Sequence, residues 1–462
     1  MAAGVRGDPS VRAPAPEILA AIQAASLAAA QGRPAVAADQ LAVLAAAEGA
    51  GDDPVVREAL GQGLYHAGRF AEAVALTDRP DARDIGTLAC HAASLVALGD
   101  LERAEAVFDA LVEAYPLDGA AWYNRATLRR WTAWTHHVDA LRRVVGQLPA
   151  EHEIPVRFAL AKELEDMGRH AESFAELARG AALRRARLSY RVEMDVEAMA
   201  EIAEAFHGDR LKAAPAARID QPGPIFVLGL PRSGTTLVDR VLSSHSQVDS
   251  LGETADLALA LMETTPRAPD RAAFIRAAAG ADPARLGARL RDRLAGYGRG
   301  RPFLIDKTPL NYLYIGLIAL ALPEARIIHV RRDPMDVGYA LFKTLFQTGC
   351  PYTYDLADIG RYMGAQRRLV DHWRRGLPDR IIEVDYAALV DDLEAEARRL
   401  VSACGLAWEP ACLDFHLNRA PSSTASAAQV RRPLYRDSIG LWRRYEDELA
   451  PLAETLRGEG VL

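Results

Sequence analysis

The sequence predicts a helical repeat array followed by an α/β domain built on a parallel sheet. Three observations carry this. The first ~190 residues are rich in alanine and leucine, with little β-branched alternation and short glycine-marked breaks. Beyond residue 220, short apolar runs of strand type alternate with helical stretches. A glycine-rich turn joins the first of those runs to a helix.

Length and composition bound the answer first. The chain has 462 residues, half of them hydrophobic and a quarter charged, which is enough for two or three packed domains and excludes wholesale disorder. Its net charge of −7 argues against a general nucleic-acid binder. No apolar run reaches the roughly 18 residues that span a bilayer; the longest, Tyr312 to Leu322, ends at Pro323. The segment from Met1 to Glu17 lacks the uninterrupted apolar stretch of a secretory signal. Cys90, Cys350, Cys404 and Cys412 are scattered without a CxxC, so neither a disulfide framework nor a zinc site is expected, which fits a reducing, cytoplasmic compartment. Lysine stands only at 162, 212, 307 and 343, against 51 arginines. In a chain that has so nearly replaced lysine, a retained one marks a position that needs a compact ammonium.

The helical half comes first. Breaks at Gly32-Arg33-Pro34, Gly68-Arg69-Phe70, Gly99-Asp100-Leu101 and Gly168-Arg169-His170 have glycines 36, 31 and 69 residues apart, the last near twice a 34-residue period. The segment from Ala92 through Gly99, Leu101, Ala104 and Phe108 to Pro116 resembles a tetratricopeptide repeat, a pair of antiparallel helices. Small residues such as Gly61, Ala92 and Ala161 permit close helix approach, and Phe70, Leu101 and Phe108 fill the gaps. Trp122 falls where a further repeat would place its aromatic, while Arg125 to Pro149 fits the pattern poorly. Such an array either recruits a peptide on its concave face or only caps the second domain. His136-His137 has no third ligand nearby, and a solvated helix face is the expectation there.

Residues 1–190 are therefore assigned to the helical repeats, 191–220 to a connecting helix (Val192 to Phe206) and linker, and 221–462 to the α/β domain. In that domain the strand-type runs are Ile225–Leu228, Phe303–Ile305, Arg326–Val330 and Ile381–Val384. Helical stretches lie at Leu237–Leu242, Asp256–Met262, Ala284–Leu294, Asp336–Phe346 and Ile359–Trp373. Alternation of this kind predicts a parallel sheet covered on both faces, with ligands beyond the carboxyl ends of its strands.

Gly229-Leu230-Pro231-Arg232-Ser233-Gly234-Thr235-Thr236 follows the first strand and opens a helix, an arrangement suited to anions: converging backbone N–H groups, a helix N-terminus, three hydroxyls and one guanidinium. The lysine of a Walker A loop is missing, which disfavours an ordinary ATPase or kinase.

Pro231 to Thr236 resembles the 5′-phosphosulfate loop of sulfotransferases that use 3′-phosphoadenosine 5′-phosphosulfate (PAPS). Ser250-Leu251-Gly252-Glu253-Thr254 is similar to the segment that carries the catalytic glutamate in tyrosylprotein sulfotransferases, 21 residues after Arg232. Asp306-Lys307-Thr308-Pro309 resembles their active-site lysine segment, and Val330 to Val337 the family's 3′-phosphate motif. The closing stretch Thr424-Ala425-Ser426 to Tyr435 also matches, so the resemblance covers the last ~240 residues; with the repeats, the whole chain resembles bacterial tetratricopeptide-repeat sulfotransferases.

The resemblance implies roles. Arg232, Lys307 and Ser426 would stabilise charge on the leaving oxygen, Glu253 would be the general base, and no metal would be required. Arg232, Ser233, Gly234, Thr235 and Thr236 would hold the 5′-phosphosulfate, and Arg332, Tyr386 and Arg431 would complete the donor site. His245 is a rival base that sits at a helix end, where a capping or core role is expected. A serine usually follows the 3′-phosphate arginine by eight residues; here that position is Ala340, and Lys343 is the candidate to compensate. The acceptor is expected to be a hydroxyl or phenol, with Glu253 and the repeats tilting towards a peptide or protein tyrosine; glycan, lipid and small-metabolite acceptors stay open. The rival readings are a repeat scaffold with an impaired catalytic domain, supported by Ala340, and a small-molecule P-loop kinase. Oligomeric state is not legible.

Overall fold

The structure, a computed structural model, describes residues 16–30, 33–46, 51–79, 82–150, 152–298, 300–346, 348–421, 430–434 and 436–462. Its helical part consists of pairs, Pro16–Ala30 with Pro34–Ala46, Pro54–His66 with Phe70–Thr77, Ile85–Leu98 with Leu101–Ala114 and Glu153–Asp166 with His170–Arg185, together with the short helices Gly119–Thr127 and Val138–Val145, the latter packed on Glu153–Asp166. The turns at Gly68, Gly99 and Gly168 each need a left-handed residue (φ 73°, 86° and 74°), which is why glycine sits there. Gly61 lets neighbouring helices touch, since a Cβ there would lie 2.9 Å from Thr77 Cγ2 and 3.2 Å from Cys90 Sγ. In the poorly matching stretch after Arg125 a ten-residue excursion, Leu128 to His137, separates the helices Gly119–Thr127 and Val138–Val145. Within it the half-buried His137 is held by Glu163: its backbone N–H donates to Oε2 (2.5 Å), Nδ1 meets Oε1 (3.2 Å), and its ring stands edge-on to Trp131.

The described residues hold one five-stranded sheet, all parallel, in the order β2-β3-β1-β4-β5. The strands are β1 (Ile225–Gly229), β2 (Val248–Ser250), β3 (Phe303–Asp306), β4 (Arg326–Arg331) and β5 (Ile381–Asp385). Four of these are the runs read from sequence; β2, only three residues long, is a sheet edge with too little pattern to read. β1 is buried on both faces and alternates between two cores. Ile225 and Val227 pack with the helix Thr235–Ser243 and with Leu389, Leu400 and Val401. Phe226 and Leu228 join a larger core with Ile315, Ile318, Leu369 and Trp373, and with Phe158, Ala161 and Leu177 of the last helical pair.

Packing divides the chain differently from composition. One compact unit runs from the N-terminus to Ala121, with 295–298 and 419–423; the other comprises 122–294, 299–418 and 424–462. Composition changes near residue 190–220, but the helices Glu153–Asp166 and His170–Arg185 already share their core with the sheet. Among the described residues no helix is long and apolar enough to cross a membrane. All four cysteines are buried and free.

Candidate active site

Every carboxyl end of the sheet delivers one segment of the site. After β1 the chain turns through Gly229 to Gly234 and enters the helix Thr235–Ser243. The turn is tight: a Cβ on Gly234 (φ 107°) would lie 2.3 Å from Tyr386 Cδ2, and Arg232 itself adopts a left-handed φ of 69°. A non-glycine residue pays roughly 1 kcal/mol or more for that conformation, a strain concentrated at functional loops. Ser233, Thr235 and Thr236 are buried. Ser233 Oγ has no hydrogen-bond partner among the described residues, the signature of a loop shaped for a group that brings acceptors.

After β4, Arg332 is nearly buried, its side chain 9% exposed. Its guanidinium lies 4.6 Å over the Tyr386 ring, Nη1 donates to the Arg232 carbonyl (3.4 Å), Nη2 donates to the Ser438 carbonyl, and Nε is buried without a partner. Asp333 caps the next helix, Pro334–Phe342, by accepting from Asp336 N (2.9 Å). After β5, Tyr386 seals Gly234 with its ring and reaches Ser438 Oγ with its hydroxyl (3.4 Å). Arg232, Gly234, Thr235, Thr236, Arg332, Tyr386, Ala340 and Lys343 line one cavity of about 530 Å³, a size suited to a nucleotide.

The ends of β2 and β3 form a second cluster that does not line that cavity. Lys307 N donates to the Gly252 carbonyl (2.8 Å), and Thr254 and Thr308 exchange bonds at 2.9 Å in both directions. These zip the two segments together and set Lys307 Nζ 2.5 Å from Glu253 Oε1. Lys307 is 1% exposed and Glu253 half exposed, so the carboxylate can meet solvent or substrate while the ammonium comes from inside. Beneath them Asp306 accepts from Thr254 Oγ1, Thr308 Oγ1 and Thr308 N. Burial pushes its carboxyl up to about 6 even so. Asp239, on the phosphate-loop helix, is also buried; desolvation raises its pKa and the nearby Lys307 charge opposes the rise.

Other expected site residues are placed as follows. Ser426 lies outside the described residues. Arg431 sits beside Arg240 and away from the cavity, with burial and that like charge lowering its pKa, and its neighbour Arg432 lines the cavity instead. Lys343 reaches the cavity wall, but its ammonium is bonded to Glu165 Oε2 (2.6 Å), and the other oxygen, Oε1, accepts from the Tyr339 and Tyr445 hydroxyls. His245 is buried and bound to the Ala407 carbonyl (2.8 Å), with Glu409 at 3.5 Å, the setting of a structural histidine. Sequence reasoning missed the cavity wall made by Leu128, Arg129, Arg130, Lys162, Glu165 and Asp166 of the helical segment. The lysine bias was the one signal available: Lys162, Lys307 and Lys343 all lie at these two clusters, and Lys212 alone is a surface pair. Among the described residues no group of three His, Cys, Asp or Glu side chains is placed to hold a metal.

A strained loop after β1, Arg332 after β4 and the Lys307–Glu253 pair after β3 and β2 thus lie at the carboxyl ends of one parallel sheet. Residues 224–410 match the model of the sulfotransferase family, and residues 86–128 match a tetratricopeptide repeat. The chain carries a sulfotransferase-family domain behind tetratricopeptide-type helices. A protein of Aquifex aeolicus described as uncharacterized is 29% identical over 384 residues, covering 79% of this chain and 49% of that protein. This chain thus spans about half the length of that relative. A Caenorhabditis briggsae protein described as "Putative protein-tyrosine sulfotransferase" is 25% identical over 251 residues, 50% of this chain and 88% of that one. The sulfotransferase domain of the Synechococcus PCC 7002 olefin synthase superposes with a TM-score of 0.31 and 21% identity, over 50% of this chain and 97% of that domain.

Proposed function

We propose that the protein transfers a sulfuryl group from PAPS to a hydroxyl or phenol acceptor. The observation that carries this reading is the cavity lined by Arg232, Gly234, Thr235 and Thr236 of the 229–236 turn and by Arg332, whose guanidinium lies over the Tyr386 ring with Nε buried without a partner. PAPS supplies the activated group: a sulfur–oxygen bond to the acceptor forms as the bond to the 5′-phosphate oxygen breaks, and 3′-phosphoadenosine 5′-phosphate leaves. In this reading the amides of the 229–236 turn and Arg232 hold the 5′-phosphate, and Arg332 with Tyr386 holds the 3′-phosphate and base side. Lys307 neutralises charge growing on the leaving oxygen. Glu253 accepts the acceptor's proton. The 2.5 Å Lys307–Glu253 pair places the two groups side by side, as this reading needs. The fully charged residues already present provide the stabilisation a metal would give.

The acceptor is best read as a tyrosine in a peptide or protein, supported by the C. briggsae relative's name and by the tetratricopeptide match at 86–128. Four buried, free cysteines suit a reducing compartment such as the cytoplasm. Calorimetric titration of 3′-phosphoadenosine 5′-phosphate against ATP tests the donor; preference for ATP would overturn it in favour of a kinase. Glu253→Gln should keep that nucleotide affinity while transfer from PAPS falls about 10²–10⁴-fold. A parallel loss of affinity and rate would make Glu253 structural.

A further inference from the structure

Resting on the PAPS reading, we propose that Arg130, from the helical segment, is a donor-binding residue that grips the 3′-phosphate together with Arg332 and makes up for the hydroxyl absent at Ala340. The same cavity is lined by Ala340, Arg332 and Arg130, all within one compact unit. The two guanidiniums converge on one loop step: Arg130 Nη1 lies 3.6 Å from Asp437 Oδ2, and Arg332 donates to the carbonyl of the adjacent Ser438.

Lys343, the sequence-based candidate, is poorly placed for this task. Glu165 binds it at 2.6 Å and is itself held by two tyrosine hydroxyls, so its charge is already neutralised in a largely buried network. Freeing it would strand a buried carboxylate, which is costly. Arg130 is the opposite case. Its side chain is 62% exposed and its partner 75% exposed, a surface pair worth little, so exchanging Asp437 for a phosphate dianion costs almost nothing. Its backbone, however, is well anchored. Arg129 lies 4.1 Å over the buried Trp131 ring, Lys162 bonds to the Arg129 carbonyl, and Trp131 N donates to Asp166 (2.8 Å). A mobile guanidinium on a fixed loop suits bidentate capture of a phosphate.

The test uses the full-length chain and two ligands, 3′-phosphoadenosine 5′-phosphate and adenosine 5′-phosphate, titrated by calorimetry. Arg130→Ala should weaken binding of the bisphosphate about tenfold, the scale of one charge-assisted hydrogen bond, and change binding of the monophosphate less than about twofold. Arg130→Glu should weaken the bisphosphate further by placing a carboxylate beside the dianion. An unchanged bisphosphate affinity in Arg130→Ala, or equal losses for both ligands, overturns the role of Arg130. If the parent chain binds no bisphosphate at all, the PAPS reading falls first and this inference with it.

Discussion

The helical pairs before and after Trp122 share one architecture and differ in where their polar side chains go. In the first set the buried Arg57 satisfies itself locally, on the Gly51 carbonyl (2.7 Å), Asp84 (3.2 Å) and Thr87 (3.4 Å). His91, also buried, binds Thr77 (3.0 Å) of the neighbouring helix. In the second set some polar groups pair locally, as Lys162 does with Asp166, and others reach the α/β elements. Glu165 holds Lys343, Tyr339 and Tyr445; Arg185 bonds Asp358 at 3.0 Å; and Tyr123 accepts from the Leu345 amide (3.1 Å). Helices thus form a locally satisfied scaffold in one place and a wall of the cavity in the other. The difference lies in a few charged side chains and not in the helices.

Truncation should expose this contrast most strongly. Removing residues 1–121 leaves the segments of the second unit intact, so nucleotide binding should survive within a few fold. Removing 1–190 takes away Arg130, Glu165 and core residues such as Phe158 and Leu177, and nucleotide binding should be abolished. Equal nucleotide binding by both truncations, read by calorimetry, would break the contrast.

Point substitutions sharpen it. Glu165→Gln breaks a buried ion pair and should lower the denaturant midpoint by an amount equivalent to about 3–5 kcal/mol, with a change in nucleotide affinity. Arg57→Ala should lower hydrogen-exchange protection across Pro54–Leu98 while nucleotide affinity stays as in the parent. If Arg57→Ala weakened the nucleotide as much as Glu165→Gln, the two sets of helices would not differ in role.

The smallest expected effect is a pH dependence that belongs to the site and not to the scaffold. Asp306 titrates at about 6 when folded, against an ordinary value near 4, so the folded state binds its proton more tightly. Its contribution is therefore most favourable below pH ~4 and is lost as pH rises through about 6, up to roughly 3 kcal/mol. Comparing the pH–stability profiles of the parent and Asp306→Asn between pH 4 and 7 isolates it; identical slopes would refute the elevated pKa.

Much of the site was legible because its parts are local. The 229–236 turn, Glu253, Lys307 and Arg332 each follow a strand directly, so strand patterning and short spacing place them at the carboxyl ends of one sheet. The helical breaks were legible for the same reason, since a left-handed turn between two helices selects glycine. Less was legible where an element is short, as in β2, or where a role depends on a partner far away in sequence. His137 illustrates this: nothing near it announces Glu163, which draws it inward.

The sequence by itself determined the order of the elements and put the 229–236 turn, Glu253, Lys307 and Arg332 just after strands, because hydrophobic period, turn residues and motif spacing act over a few positions. Only the tertiary structure decided which cations remain available to a ligand. Lys343 and Lys162 look free in sequence, yet Glu165 and Asp166 take them up, while Arg130, in a stretch with no motif, is left with a weak surface partner beside the cavity. Charge pairing depends on the distance between side chains brought together by packing, and at low exposure that pairing outweighs the identity of the residue.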